Sequence, residues 1–297
     1  MTPPAHGPAH RSGIPLMLVA MFCIAANDAV GKELTQTYSI WQVLWIRSWI
    51  WVAFALVWIA THGGFHRAIR SRKPGLQTIR SLILVAEITV FVLAFKHLPL
   101  ADVTAVSAGT PLVVLVLAVI FLNERVGAHR WTAVALGFVG ILLITRPGLS
   151  VFGTLTLLPV AGIVLWGVYQ VLMRFVSAFD STETTLLWSG VTIFVVTGAV
   201  APWFWISVPD WETWALFALV GSLNTAGHFM MIAAIARSEA SALQPFTYSI
   251  VLWALLLGWL VFDEWPDAMS VAGTLLVLAG GLYALHRERR QARATHP

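Results

Sequence analysis

Four ionisable side chains stand inside long apolar runs: Asp28 in "MFCIAANDAVGK", Arg47 in "VLWIRSWIW", Glu87 in "LILVAEITVFVL" and His228 in "NTAGHFMM". An ionised group at the centre of a hydrocarbon layer costs ~2.5 to 3.5 kcal/mol on insertion scales, so each needs a partner, a wet cavity or neutralisation. Asp28 and Arg47 fall at similar depth in neighbouring runs, and an ion pair between them is expected. Such a pair serves either as a clamp between two helices or as part of substrate or proton handling. Glu87 lies near the middle of its run, where a lone carboxylate is costly as an anion and could take up and release a proton. It could also contact a substrate ammonium or hydrogen-bond to a neighbouring helix. His228 reads as a ligand contact or as a neutral histidine satisfied by Ser or Asn.

A second set of polar and aromatic residues falls at comparable depth. It comprises Ser107 and Thr110 before Pro111, then Trp166, Tyr169 and Gln170, then Asn224, then Gln244, Tyr248 and Ser249 around Pro245. Each proline frees a backbone carbonyl and kinks its helix, which is tolerated where a cavity or a polar neighbour satisfies the freed group. Any single Ser or Thr can equally be helix-packing glue. Together they predict a cavity between the third, fourth, eighth and ninth apolar runs, with the first and sixth contributing. Sugar phosphates or nucleotides call for several fixed Arg or Lys, and only Arg47 lies deep in a run. A neutral or zwitterionic apolar solute fits better, its ammonium resting on Tyr or Trp faces or on Glu87.

The elements that position these groups follow from composition. The chain is 58% hydrophobic and 11% charged, too apolar to hide its side chains inside a water-soluble globule. It reads as an all-α membrane protein embedded in a lipid bilayer. At roughly 17 to 25 apolar residues per crossing, ten spans are expected, at 14–34, 40–61, 78–97, 100–122, 129–146, 153–176, 182–204, 213–236, 240–262 and 268–286. The single cysteine, Cys23, excludes an internal disulfide and any cysteine-cluster metal site. No HExxH, GxSxG or Walker-type motif occurs, so no enzyme, cofactor or metal is expected. A passive channel remains open as an alternative to a carrier.

Placing the N-terminus in the cytoplasm puts 14 of the 18 Lys and Arg on that side, Arg80, Arg125 and Arg174 among them. Both termini are therefore expected inside. The charges are scattered at span ends, which speaks against nucleic-acid binding. With an offset of 140, the run ending at Glu124 aligns with that ending at Glu264, and Gly140 meets Gly280. Five spans per unit, an odd number, predict two inverted repeats, 14–148 and 149–287, flanked by cytoplasmic tails 1–13 and 288–297. Both glutamates then read as helix-end and turn residues. Small-residue faces at 129–146 and 268–286 predict tight packing, and offer a homodimer contact.

The segments "IAANDAVGK", "VLWIRSWIW", "LWGVYQVLMR" and "ADVTAVSAGTPLVVLVLAVIFLNERVGAHRWTAVALGFVGILLITRPG" resemble the ten-helix EamA-type members of the drug/metabolite transporter superfamily. "ALQPFTYSIVLWALLLGWLVFDEWPDAMSVAGTLLVLAGG" repeats the signal, with Asp-Glu-Trp in place of Glu-Arg. The resemblance implies an alternating-access carrier in the bacterial inner membrane. The 15 Trp are similar to the composition of aromatic amino-acid exporters of the YddG type. That likeness implies export of aromatic or other apolar amino acids, with other small metabolites, amines or nucleobases as the alternative. Trp203, Trp205, Trp211 and Trp214 read as an interfacial belt.

Overall fold

The computed structural model describes residues 13–62, 69–122, 128–146, 153–237 and 240–295. Within them the chain is all helical. In order come α1 (Gly13–Thr37), α2 (Ile40–His62), α3 (Pro74–His97), α4 (Leu100–Ser107), α5 (Thr110–Leu122), α6 (Ala128–Thr145), α7 (Leu158–Ser177), α8 (Thr182–Val200), α9 (Trp211–Arg237), α10 (Ala240–Thr247), α11 (Ser249–Phe262) and α12 (Ala268–Thr295). Short 3-10 turns occupy Gly153–Leu157 and Ala201–Phe204. Among the described residues, seven helical segments are long and apolar enough to cross a membrane, and Trp131–Thr145 and Ala268–Ala284 form shorter apolar helices. The 27-residue α9 makes up the tenth element of the expected set.

Local chemistry sets the boundaries. Pro74 opens α3, where its missing N–H costs nothing. Asp210, Ser181 and Asp267 cap α9, α8 and α12 by accepting from the N–H of Thr213, Thr184 and Ser270. Asp263, in the left-handed region at φ 55°, ends α11, and the Glu264 N–H returns to the Gly258 carbonyl at 3.0 Å. The α4–α5 break lies at Ala108 and Gly109. Pro111 leaves the Ser107 carbonyl without its helical donor, and the Thr110 hydroxyl donates to it at 2.6 Å. At the α10–α11 break, the Ser249 hydroxyl donates to the Phe246 carbonyl at 2.7 Å.

The packing pairs exchange between the two halves. α1 runs along α9 as α7 runs along α3; α1 meets α11 as α7 meets α5; α2 touches α9 as α8 touches α3. α2 with α8, and α6 with α12, pair with their own counterparts. The symmetry breaks most clearly at one end. α1 packs on α3 and α4 packs on α11, sealed by a cluster of Ala29, Ala94, Phe95, Leu98, Leu100, Val103 and Ala254. The related halves α5 and α10 turn to α7 and α1 instead. Among the described residues, the end that carries this cluster is shut, and the halves make fewer such contacts at the other.

The small-residue faces of α6 and α12 are spent on each other inside the chain. A Cβ on Gly140 would lie 2.6 Å from the Gly273 carbonyl oxygen, and one on Gly280 would lie 2.9 Å from that of Ala133. Backbone on both sides leaves no flexible atom to yield. Gly140→Ala is expected to lower the thermal unfolding midpoint in detergent by the equivalent of about 1 to 3 kcal/mol. Gly75→Ala, where a Cβ meets nothing within 4 Å, should leave it unchanged; equal midpoints for the two variants would refute the close α6–α12 contact.

Candidate functional site

The four intramembrane ionisable residues converge from four helices: Asp28 from α1, Arg47 from α2, Glu87 from α3 and His228 from α9. Arg47 acts electrostatically on Asp28, Glu87 and His228, and Asp28 acts on Glu87. Glu87 is buried, while Asp28, Arg47 and His228 keep part of their surface open although they sit mid-bundle. The expected contact ion pair does not form: Asp28 Oδ1 accepts from Asn27 Nδ2 at 2.9 Å, and among the described residues Arg47 reaches the carboxylates only through space. The carboxylate is engaged by the neighbouring amide instead of the guanidinium.

His228 Nδ1 lies 2.8 Å from the Asn224 carbonyl oxygen. A carbonyl only accepts, so Nδ1 carries the proton and the other ring nitrogen is free to accept. Its ring meets Trp51 edge to face at 5.6 Å, and the Trp51 indole N–H is buried with no acceptor. Sequence reasoning passed over Trp51. The signal was its position four residues after Arg47, one turn along the same face.

On α7, Trp166 stacks on Tyr169 at 5.1 Å, and the half-buried Gln170 follows. Tyr169 is held by Arg80, counted above as a surface anchor and here fully buried. Arg80 Nη1 donates to the Tyr169 hydroxyl at 3.0 Å, with the guanidinium 5.2 Å from the ring centre. Its other donors reach Gln77, Ser81, Ser189 and the Thr185 carbonyl. Arg80 precedes Glu87 by seven residues, two turns of α3, so both share the inward face. Gln77 extends the network by donating to Asp180 Oδ2 at 3.0 Å. Asp180 also accepts from the Ser71 hydroxyl at 2.5 Å and the Arg72 N–H at 2.7 Å.

Several expected contacts go elsewhere. The Ser107 hydroxyl returns to the Thr104 carbonyl within α4, and the Thr110 and Ser249 hydroxyls reach back across the breaks to the Ser107 and Phe246 carbonyls. The Tyr248 hydroxyl points at α12, where it would lie 1.8 Å from a Cβ on Gly281. The fourth and ninth passes thus contribute less than expected, and α2 contributes more. The Gln244 side chain and all of Glu124 lie outside the described residues. Glu264, read as a turn residue, closes the shut end. Lys32 Nζ donates to Glu264 Oε1 at 2.5 Å and to the Leu98 carbonyl at 2.8 Å, while Glu264 Oε2 accepts from the Leu100 N–H at 3.0 Å.

A model described as the EamA-like transporter family matches residues 11–146 and again residues 153–285. The chain belongs to that family. Each match covers one of the two halves whose contacts exchange. A "Riboflavin transporter" of Rhizobium johnstonii is 29% identical over 226 residues, 76% of this chain and 75% of the relative. An "S-adenosylmethionine uptake transporter" of Rickettsia felis is 24% identical over 287 residues, 97% of each chain. A pseudopaline exporter of Pseudomonas aeruginosa is 23% identical over 284 residues, covering 94% of this chain and 98% of the relative. A solved crystal structure superposes with a TM-score of 0.64 at 18% identity, over 95% of this chain and 99% of the other; that likeness concerns the fold. This EamA-like transporter is a multi-pass protein of the inner membrane. None of these relatives is named for aromatic amino acids, so the YddG-type likeness gains no support from them.

Asp180 gives the scaffold a pH signature. Burial pushes its carboxyl up, but the hydrogen bonds from Ser71, the Arg72 N–H and Gln77 outweigh that and hold it below the usual carboxylate range. A depressed value in the folded state stabilises the protein above the unfolded value near 4, and this stability is lost as pH falls through the folded one. Asp180→Asn should lower the unfolding midpoint at pH 7, with the gap from wild type closing as pH drops below about 4. A gap independent of pH would argue against an ionised Asp180 in the network.

Proposed function

We propose that this EamA-like transporter is a secondary carrier for a small metabolite that joins a flat ring to an ammonium or other cationic centre. The carrying observation is the charge cluster, taken here to line a central cleft: Asp28 and Glu87 both feel one Arg47, beside Trp51 and the Trp166–Tyr169 stack. The surplus negative charge suits a cation or a proton, and the aromatic faces suit a ring. Riboflavin and S-adenosylmethionine, named for two relatives, both carry flat heteroaromatic rings. Aromatic amino-acid export is the narrower form of the same chemistry, with the zwitterion's carboxylate on Arg47. The relatives include uptake carriers and an exporter, so direction is left to measurement.

In this reading the chain crosses the membrane ten times as two inverted halves, with both termini in the cytoplasm. The matched halves and exchanged pairings support the inversion, and the Lys and Arg count supports the orientation. Lys32 and Glu264 then close the outer end, and the cleft opens to the cytoplasm.

Counterflow in proteoliposomes tests the carrier with riboflavin, S-adenosylmethionine, L-tryptophan, L-leucine and a sugar phosphate. Saturable exchange of at least one ring-bearing solute and none of the sugar phosphate is expected. Non-saturating flux without exchange would mean a pore, and exchange confined to the sugar phosphate would sink the substrate class. Asp28→Asn should reduce transport efficiency for the accepted cation about tenfold or more, the worth of one charge-assisted contact. Glu87→Gln should flatten the pH dependence of transport; an unaltered profile removes Glu87 as the proton carrier.

A further inference from the structure

Arg80 is a buried cation that the packing of the helices does not require. It is fully buried, and among the described residues no carboxylate pairs with it. Its donors go instead to neutral oxygens: Gln77 Oε1 at 3.1 Å, the Ser81 hydroxyl at 3.1 Å, the Ser189 hydroxyl at 2.8 Å, the Thr185 carbonyl at 3.3 Å and the Tyr169 hydroxyl at 3.0 Å. A guanidinium taken out of water without an ion pair is expensive, and hydrogen bonds only offset that cost.

The second half makes the same joint without a charge. α1, α3 and α5 end at residues 37, 97 and 122, and α7, α9 and α11 end 140 residues later, at 177, 237 and 262. In that register Gln77 and Arg80 of α3 correspond to Phe217 and Val220 of α9. Phe217 and Val220 are equally buried, in an apolar cluster with Leu34, Tyr38, Val43 and Ile46 that joins α9 to α1 and α2. Gln77 and Arg80 stand at the matching joint of α3 with α7 and α8. Well-packed apolar side chains hold such a joint at least as well as a buried cation, so packing alone does not account for Arg80.

What Arg80 does that Val220 does not is hold a tyrosine. Nη1 donates to the Tyr169 hydroxyl and the guanidinium lies 5.2 Å from the ring centre, so the phenol cannot turn about its Cα–Cβ bond without breaking that contact. Trp166, one turn earlier on α7, stacks on Tyr169 at 5.1 Å with 28° between the planes and keeps part of its own surface open. Glu87 acts electrostatically on Tyr169, which puts the stack beside the charge cluster.

We infer that Arg80 is a positioning residue for ring recognition: through the Tyr169 hydroxyl it sets the orientation of the Trp166–Tyr169 stack without touching the passenger. This rests on the reading of that stack as the wall that receives the ring.

The chain has four Tyr, so 3-fluorotyrosine labelling of the full-length protein in nanodiscs gives a fluorine spectrum simple enough to assign, the Tyr169 signal by its loss in Tyr169→Phe. Arg80→Met should shift the Tyr169 signal and leave that of Tyr38, at the matching apolar joint, in place. An unmoved Tyr169 signal overturns the proposal whatever the protein carries. Counterflow then follows whichever of riboflavin, S-adenosylmethionine and L-tryptophan the wild type exchanges. Arg80→Met and Tyr169→Phe should each raise the half-saturating concentration about tenfold, the double variant no further than the worse single one, with maximal rates within about twofold of wild type. A merely structural Arg80 would lower the maximal rate and the unfolding midpoint with half-saturation unchanged, and that result, or additive losses in the double variant, overturns the positioning role. Should Arg80→Met fail to fold, Arg80→Lys, which keeps the charge without the planar fork, should give the same displacement of the Tyr169 signal and the same rise in half-saturation. Exchange of none of the three solutes by wild type refutes the substrate reading, and the fluorine signal reports separately on Arg80.

Discussion

The ion pair between Lys32 and Glu264 is the contact on which the shape of this transporter depends. It unites α1, the turn between α3 and α4, and the end of α11 through one ammonium and one carboxylate whose oxygens are both engaged. The Lys32 ammonium also lies 4.9 Å from the centre of the Phe262 ring. Lys32 is buried, so removing Glu264 would leave its ammonium without compensation in a place water hardly reaches. Because the pair fixes the Leu98–Leu100 turn, the aliphatic cluster beneath it can pack, and that end stays shut.

The two halves share a plan of contacts yet differ in which contacts are made. The main pairings of long helices have their counterparts, down to α2 with α8 and α6 with α12. The largest contacts without a counterpart, α1 on α3 and α4 on α11, lie at the shut end. A carrier of two equivalent halves can trade one set for the other at modest cost, since the buried area lost at one end is regained at the other. The α6–α12 pair, locked backbone against backbone at Gly140 and Gly273, is the part least able to move. It serves as a fixed post beside the passes that shift.

The sequence carried the architecture well because membrane solvation is a blunt rule. Apolar runs of the right length must be helices, and charges inside them must find one another. Asp28, Arg47, Glu87 and His228 do meet. What it hid was rotation about each helix axis. Ser107, Thr110 and Ser249 have the right depth, but their hydroxyls are consumed at the helix breaks. Depth alone does not distinguish a hydroxyl that lines a cleft from one that repairs a kink. Arg80 was missed for the opposite reason. A basic residue near a span end reads as an interfacial anchor, and only the seven-residue spacing to Glu87 hinted that it points inward. Glu264 was read as a turn because its partner, Lys32, is 232 residues away, a separation that no local pattern bridges.

The charge balance of the cleft limits how such a carrier can work. In the proposed cycle, opening of the central cleft would let water screen Asp28 and Glu87, and one Arg47 for two carboxylates would be tolerable. Closing the cleft removes the water, and an uncompensated carboxylate then costs several kcal/mol. Closure with an empty, ionised cleft is thereby disfavoured relative to closure with one more positive charge inside. That charge can be a proton on Glu87 or the cationic centre of a passenger. On the proposed reading, the residues that contact the passenger would also be those that disfavour the empty transition, and coupling would follow from electrostatics without a separate gate residue.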